Sequence, residues 1–354
     1  MHDEYLLWLN ENNCWLPDLY FADADKELRF HQDIVISPES VRAQVEHDLP
    51  STTVLNDHDI VVLYLVLSRL TMEGEDLTYT KHIPYIKILP LTIDTPLAFT
   101  EKELSLLRGT SLAFSAQRRI NDTREAASRA LAAVPKFSDM DEQKWLEYWR
   151  WADDIYGSRS FPGRLCGKSD GPILIPGLDS INHARGTPVT WSHDGATITL
   201  AIHQPIKKGE QVLNNYGAKS NEEFILSYGF VQPGGPDDVL VLRLRDGNVH
   251  YWKESDVQAP PALISELKEM ILDEDDQLWK EARAYEILEE FLLAKRKDFK
   301  AGQREFEAYE TEIRPHIAYM IREYRVGQRR LFDHAVEITR AYLEHLSDMI
   351  EEDD

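Results

Sequence analysis

Arg159, Asp179, Asn182, His183, Tyr216, Tyr228, Gly229 and Phe230 are the residues whose types and spacing could do chemistry in this chain. Asp179, Asn182 and His183 end the run Ile173-Leu-Ile-Pro-Gly-Leu-Asp-Ser-Ile-Asn-His183. Tyr216 lies in Ile206-Lys-Lys-Gly-Glu-Gln-Val-Leu-Asn-Asn-Tyr-Gly217, and Tyr228-Gly-Phe230 ends Ser220-Asn-Glu-Glu-Phe-Ile-Leu-Ser-Tyr-Gly-Phe230. A guanidinium such as that of Arg159 suits a carboxylate, because its fork can bind both oxygens. Aromatic faces attract cations. Each stretch alone also has a plain structural reading. Asp-x-x-Asn-His can be a polar turn after an apolar run, and Tyr216-Gly217 a turn closing a strand. Tyr228 and Phe230 can be core aromatics, and Arg159 a surface arginine after a helix end. His193, His203 and His250 are scattered without ligand spacing and read as surface or strand-edge residues. With only Cys14 and Cys166, and no Cys-x-x-Cys pair, no metal site is expected.

Composition bounds the partners. A formal charge of −23 over 354 residues disfavours nonspecific binding to nucleic acid or anionic lipid and favours basic partners, such as lysine-rich protein tails. The same charge also serves plain solubility. The length suits two or three units, each burying its own core. Residues 1–20 carry acids and no basic segment, so they do not read as a signal peptide. The apolar run Ile60–Leu67 is too short to span a bilayer. Scarce cysteine fits a reducing compartment, and the expected home is cytoplasm or nucleus. A soluble monomer is expected.

Several elements must position the candidate residues. Residues 3–10 read as an amphipathic helix, Asp33–Ile36 as a short strand, and Pro38 as the first turn of a helix. Residues 51–154 read as mostly helical, with Asn56-Asp57 capping a buried helix through Leu70 that Gly74 closes. Pro84, Pro90 and Pro96 demand extended or turning chain. Thr100–Glu103 has the pattern of a capping box, and helices are expected over 111–134 and 140–156. Short strands follow at 173–175, 189–191, 196–202 and 211–213, with Ile198, Leu200 and Ile202 on one face. His193-Asp-Gly195 and Lys207–Glu210 supply turns. Pro233-Gly-Gly-Pro236 reads as a linker. Beyond it comes one hairpin, Val239–Leu242 and Val249–Trp252 about Asp246-Gly-Asn248, and then only helix. The basic run Ala294–Lys300 reads as a solvated helix face. Leu331, Ala335, Ile338, Tyr342 and Leu346 form the apolar stripe of the last helix, and Glu351–Asp354 reads as a frayed end.

In their order and spacing, the motifs resemble the SET-domain protein methyltransferases, in the branch typified by the Rubisco large-subunit methyltransferase. The resemblance extends to Pro84-Tyr-Ile-Lys-Ile-Leu-Pro90, Thr95-Pro-Leu97, Leu107-Arg-Gly-Thr110, Ser158-Arg-Ser-Phe161 and Tyr324-Arg-Val-Gly-Gln-Arg-Arg-Leu331, so it covers most of the chain. It implies an α+β fold: a β-rich SET domain (1–50 and 155–232) split by a helical insert (51–154), and an α-helical C-terminal substrate-binding lobe (233–354). The Asn-His segment would thread beneath a loop made by the later segment as a pseudoknot, a rare topology. It further implies transfer of a methyl group from S-adenosyl-L-methionine to a lysine of a basic protein, ribosomal or translation-related, with histidine a minority acceptor. By that resemblance Tyr216 is the catalytic tyrosine. Asn182 and His183 bind the adenine, Asp179 braces their turn, Arg159 reaches the cofactor's carboxylate, and the aromatic rings of Tyr228-Gly229-Phe230 wall the lysine channel and face the adenine, so that these residues too count as cofactor-binding.

One expected feature is missing. The family places a glycine-containing loop near the N-terminus, whose backbone wraps the methionine end of the cofactor. Here Leu19–Ile34 takes that place, and no glycine occurs before Gly74. Three accounts fit: loss of part of the cofactor site, substitution by a different backbone, or a shortened isoform or mis-assembled gene model. The enzyme reading therefore stands beside an alternative, a catalytically silent SET-type module that binds a basic protein. A small-molecule methyltransferase would carry a Rossmann glycine loop, and none is present.

Overall fold

The computed structural model describes residues 2–14, 26–50, 55–167, 171–207, 209–244, 248–272 and 276–353. In chain order the first elements are α1 (His2–Glu11), β1 (Lys26–His31), α2 (Pro38–His47), α3 (Asp57–Met72), α4 (Ile83–Ile86), α5 (Glu101–Ser105), α6 (Ser111–Ala133) and α7 (Glu142–Arg159). The strands β2 (Ser160–Pro162), β3 (Pro172–Leu174), β4 (Asn182–His183), β5 (Val189–His193), β6 (Thr197–Ile202) and β7 (Leu213–Asn214) follow. The short α8 (Asn221–Glu223) precedes the hairpin β8 (Val239–Arg243) and β9 (Val249–Lys253), and the chain ends in α9 (Pro261–Glu269), α10 (Gln277–Tyr309) and α11 (Pro315–Asp353). Contacts divide the chain into one unit of residues 1–93 with 119–218, and another of 94–118 with 219–354. This division runs across the expected boundaries: most of the helical insert joins the β segments, while 94–118 and 219–232 join the C-terminal helices.

In the first unit α3 is the buried axis. Its residues Ile60–Leu67 are all essentially inaccessible, so the run is apolar around its whole circumference because core surrounds it. The Asn56 side chain accepts from the Asp59 amide at 2.8 Å to start it, and Gly74 takes φ 104° just beyond its end. A reciprocal capping box between Ser37 and Ser40, with Pro38 in the first turn, starts α2. The antiparallel sheet runs β1-β6-β5, with Leu28 opposite Leu200 and Phe30 opposite Ile198. Ile198, Leu200 and Ile202 are buried, as period-two alternation requires.

Several expectations change here. Asp33–Ile36 is not a strand: Gln32–Ile34 forms a 3₁₀ turn, and only Ile36 makes a bridge, to Leu174. The true strand lies earlier, at 26–31, where Leu28 and Phe30 are the buried positions. The part of the glycine-free segment before it, residues 19–25, lies outside the described residues. Gln211 and Val212 are not in a strand either, since the ladder there is confined to Leu213 and Asn214. Pro84 sits in the first turn of the short helix α4, where its missing N–H has no intrahelical partner to lose.

The second unit is built on the pairing of α10 and α11, with Leu331, Ala335 and Leu346 buried against Leu288, Leu292 and Phe299. The motif Tyr324-Arg-Val-Gly-Gln328 works here as packing. The Tyr324 hydroxyl donates to Glu222 at 2.7 Å, and Arg325 Nη2 donates to the carbonyls of Leu106 and Arg108 at 2.7 Å each. A Cβ on Gly327 would lie 2.5 Å from the Asp238 carboxylate, and Gln328 donates to the Val239 carbonyl at 3.0 Å. The hairpin β8–β9 forms as expected, with turn residues 245–247 outside the described residues. His250 is not at a surface: it is buried in β9 and pairs with Glu266 at 2.8 Å. Residues 351–353 continue α11, because no proline or glycine stops it. Among the described residues no helix is long and apolar enough to cross a membrane.

Candidate active site

Arg159 ends α7, and Asp179 lies in a 3₁₀ turn, Leu178–Ser180, that follows Gly177. Gly177 takes φ 92°, and a Cβ there would lie 2.6 Å from the Phe30 ring, so only glycine lets the chain turn this tightly over the sheet. The Asp179 side chain is fully buried. It accepts from the Gly177 amide at 3.1 Å, the Tyr85 hydroxyl at 2.7 Å and Arg159 Nη1 at 3.2 Å. Complete burial pushes its carboxyl above the ordinary range, against the pull of Arg159 and the hydrogen bonds. Burial works to lower the Arg159 pKa, and the neighbouring Asp179 more than offsets it. Nη1 of Arg159 also donates to the Asp179 carbonyl at 3.1 Å, while its buried Nε has no hydrogen-bond partner among the described residues. The buried Tyr5 hydroxyl is in the same position, and the Tyr5 ring lies 6.4 Å from that of Tyr85.

Next along the chain, β4 pairs in parallel with β7, Asn182 opposite Leu213 and His183 opposite Asn214. A parallel pair needs a long crossover, and here β5 and β6 supply it. The pairing carries Tyr216 back onto the Asn-His segment. The Tyr216 hydroxyl donates to the Ile181 carbonyl at 2.7 Å, and its backbone N–H donates to His183 Nδ1 at 3.0 Å. That bond requires Nδ1 to be the unprotonated nitrogen. The two rings stack with centroids 4.9 Å apart and planes at 25°. Asn182 is exposed, and its amide donates to Gln211 at 3.0 Å. Thus Asn182, His183 and Tyr216 come together, and Arg159 and Asp179 come together. Tyr216 is also close enough to Arg159 to influence its charge.

Tyr228, Gly229 and Phe230 belong to the second unit. A single π-helical turn, Phe224–Tyr228, ends at Gly229 with φ 73°, whose amide closes on the Phe224 carbonyl at 2.9 Å. A Cβ on Gly229 would lie 2.9 Å from the Asp94 backbone. The turn gathers Phe224, Tyr228 and Phe230 into one aromatic group, with Phe224 and Phe230 centroids 4.6 Å apart and Tyr228 to Phe230 6.1 Å. Lys219 Nζ already lies 5.6 Å from the Tyr228 ring. Buried polar bonds fix the start of this segment: the buried Asn221 side chain exchanges hydrogen bonds with the Gln232 backbone, and the Asn221 backbone N–H donates to Asp238 at 2.7 Å. Glu222 accepts from Ser115 at 2.9 Å and from Ser111.

Sequence reasoning missed Tyr85, Tyr5, Gln211 and the Glu222–Asp238 supports. Tyr85 had a signal, since it stands in the motif Pro84–Pro90, but nothing in that motif names Asp179 as its partner.

No family model matches the sequence. The chain is 28% identical over 253 residues to Ribosomal lysine N-methyltransferase set10 of Schizosaccharomyces pombe, covering 68% of this chain and 44% of that protein. It is 22% identical over 263 residues to Protein-lysine N-methyltransferase EFM1 of Saccharomyces cerevisiae, covering 62% and 44%. The chain thus spans less than half the length of these curated relatives. Among solved structures, the SET domain of LSMT bound to lysine and AdoHcy matches with a TM-score of 0.75 at 19% identity, over 98% of this chain and 92% of that one. The fold is that of the SET domain of LSMT, and the sequence similarity to set10 and EFM1 agrees with the ordered motifs.

Proposed function

We propose that this chain is an S-adenosylmethionine-dependent protein-lysine N-methyltransferase whose substrate is a basic ribosomal or translation-related protein. The observation that carries the reading is the return of Tyr216 onto the Asn182-His183 segment, held by the bonds to Ile181 and His183. The names of set10 and EFM1 support the reaction class, and that of set10 supports a ribosomal target. The alternative of a silent binding module finds no support among the relatives.

The donor set fits the cofactor. Arg159 has an orphaned, buried Nε–H and a fork that suits a carboxylate. Asn182 offers an exposed amide, and the 182–183 backbone offers polar groups, for an adenine edge. When bound, S-adenosylmethionine supplies a methyl group on a sulfonium for in-line displacement by the acceptor nitrogen. Tyr216 places a phenol oxygen whose proton is already committed to the Ile181 carbonyl. Toward an incoming amine the phenol oxygen can therefore act only as an acceptor, a role that would orient the amine and steady developing positive charge without ionising. A lysine acceptor must first lose a proton from a group with a free pKa of about 10.4, and an apolar, cation-bearing surrounding lowers that value. The aromatic group of Tyr228 and Phe230 has the chemistry to receive methylammonium.

Calorimetry of the purified chain with S-adenosylhomocysteine tests the cofactor, and mass spectrometry of a ribosomal protein fraction after incubation with S-adenosylmethionine tests the acceptor. Micromolar binding with new methyl-lysine is expected. No binding at millimolar ligand overturns the proposal, and methyl-histidine alone overturns the lysine assignment.

A further inference from the structure

Helices α10 and α11 leave between them a cleft of about 230 Å³ in the second unit. Its floor is the buried pair Phe299 and Phe332, with centroids 5.4 Å apart. Its walls carry Arg296, Lys300, Arg304 and Arg329. The only carboxylate in the lining, Asp333, is taken by Arg296. Lys300, Arg304 and Arg329 make no ion pair among the described residues. Three uncompensated cations therefore face one small space in a chain whose net charge is −23. Like charges gathered in this way repel one another, and an anion between them relieves the repulsion. Gln303 adds a second requirement. Its Nε2 donates to the Glu307 carboxylate at 2.8 Å, which fixes the amide orientation and leaves Oε1 buried with no partner. The space is smaller than the roughly 300 Å³ at which pockets for whole small molecules begin.

We propose that this cleft is an anion site for a phosphoryl group whose carrier offers a hydrogen-bond donor beside it. The charge count selects phosphate over carboxylate, because a dianion answers three cations better than a single charge does. The donor answers Gln303 Oε1. Two sources present this chemistry: inorganic phosphate, with a water or its own P–OH as donor, and a phosphoserine, whose peptide N–H lies near its phosphate. The proposal is independent of methyl transfer and can fail or hold without it.

Calorimetry of the full chain with inorganic phosphate, with a short phosphoserine peptide and with acetate tests it. Saturable binding of phosphate is expected, with acetate at least tenfold weaker. Tighter binding of the peptide assigns the source as phosphoserine, and equal binding assigns it as free phosphate. The double variant Lys300→Gln/Arg304→Gln is expected to weaken phosphate about tenfold or more, and Arg329→Gln to do likewise. Arg283→Gln, on α10 but outside the cleft, loses one charge as Arg329→Gln does and is expected to change nothing. These side chains are exposed, and thermal unfolding without phosphate should show the variants no less stable than the parent. Absence of saturation at tens of millimolar, acetate binding as tight as phosphate, or an equal loss in Arg283→Gln overturns the proposal.

Discussion

Tyr216→Phe removes one oxygen from the candidate active site and little else. The ring remains stacked on His183 at 4.9 Å, and the backbone N–H bond to His183 Nδ1 does not involve the phenol. What is lost is the 2.7 Å bond to the Ile181 carbonyl. Ile181 is only 9% exposed, so that carbonyl becomes a poorly hydrated acceptor, and the stability cost is about 1–3 kcal/mol. The rate should suffer more. A preorganised oxygen that orients the amine and steadies the transferring centre is worth about 10²–10³ in rate, or roughly 3–4 kcal/mol of barrier. Urea unfolding measures the first quantity, and single-turnover transfer of labelled methyl to a ribosomal protein fraction measures the second. A folded Tyr216→Phe protein that methylates within twofold of the parent refutes the role assigned to the phenol. A stability loss with no rate effect would leave Tyr216 as a brace between two chain segments.

Glu103 is buried against Arg314, whose Nε and Nη2 each donate to its carboxylate at 2.8 Å. Burial alone would raise its pKa, but Arg314 and the Thr100 amide reverse that and bring it from 4.5 to about 2. A depressed carboxyl stabilises the fold above its unfolded pKa. About 3 kcal/mol should therefore be present above pH 4.5 and be lost as pH falls toward about 2. Glu103→Gln should flatten the pH dependence of unfolding across that window. Gly229→Ala places a Cβ 2.9 Å from the Asp94 backbone at a φ of 73°, and a loss of about 2–4 kcal/mol in thermal or urea unfolding is expected. A neutral result would show that the Tyr228–Phe230 turn can relax. Arg159→Lys keeps the charge beside Asp179 but loses the fork, so affinity for S-adenosylhomocysteine should fall about tenfold while the fold survives; unchanged calorimetric affinity would exclude Arg159 from the cofactor.

What the sequence made legible depended on whether the cause was local. Helix starts at Asn56, at Ser37 ahead of Pro38, and at Thr100 are local events, settled by a side chain and an amide three residues away, and each forms where the residues place it. The alternation over 197–202 was likewise legible because one face is buried along the whole strand. The strand 26–31 was not, since its alternation rests on only two buried apolar residues, Leu28 and Phe30. Partnerships across long separations were also silent. Nothing near Asp179 announces Tyr85, which lies 94 positions away, nor does Glu103 announce Arg314, 211 positions away. Motif resemblance partly repaired this, because Tyr324, Arg325, Gly327 and Gln328 were marked as a group before any contact was known. Their contacts then show a packing role that the motif itself did not specify.

Arg159 carries two claims on one guanidinium, and the geometry decides how both can be met. A guanidinium has five N–H groups in one plane. Asp179 occupies the Nη1 side, through its carboxylate and its carbonyl, while Nε has no partner among the described residues. An incoming carboxylate can therefore take another edge of the plane without breaking the pair that holds the turn. The charge balance is harder to meet, since one cation would then face two anions in a buried place. The raised Asp179 carboxyl eases this, because a group already pushed toward its neutral form takes up a proton more readily when a second anion arrives. The Tyr85 hydroxyl and Gly177 amide hold Asp179 in either state of charge. On the proposed function, a buried aspartate that braces a turn would in this way also let Arg159 take a carboxylate while it remains part of the fold.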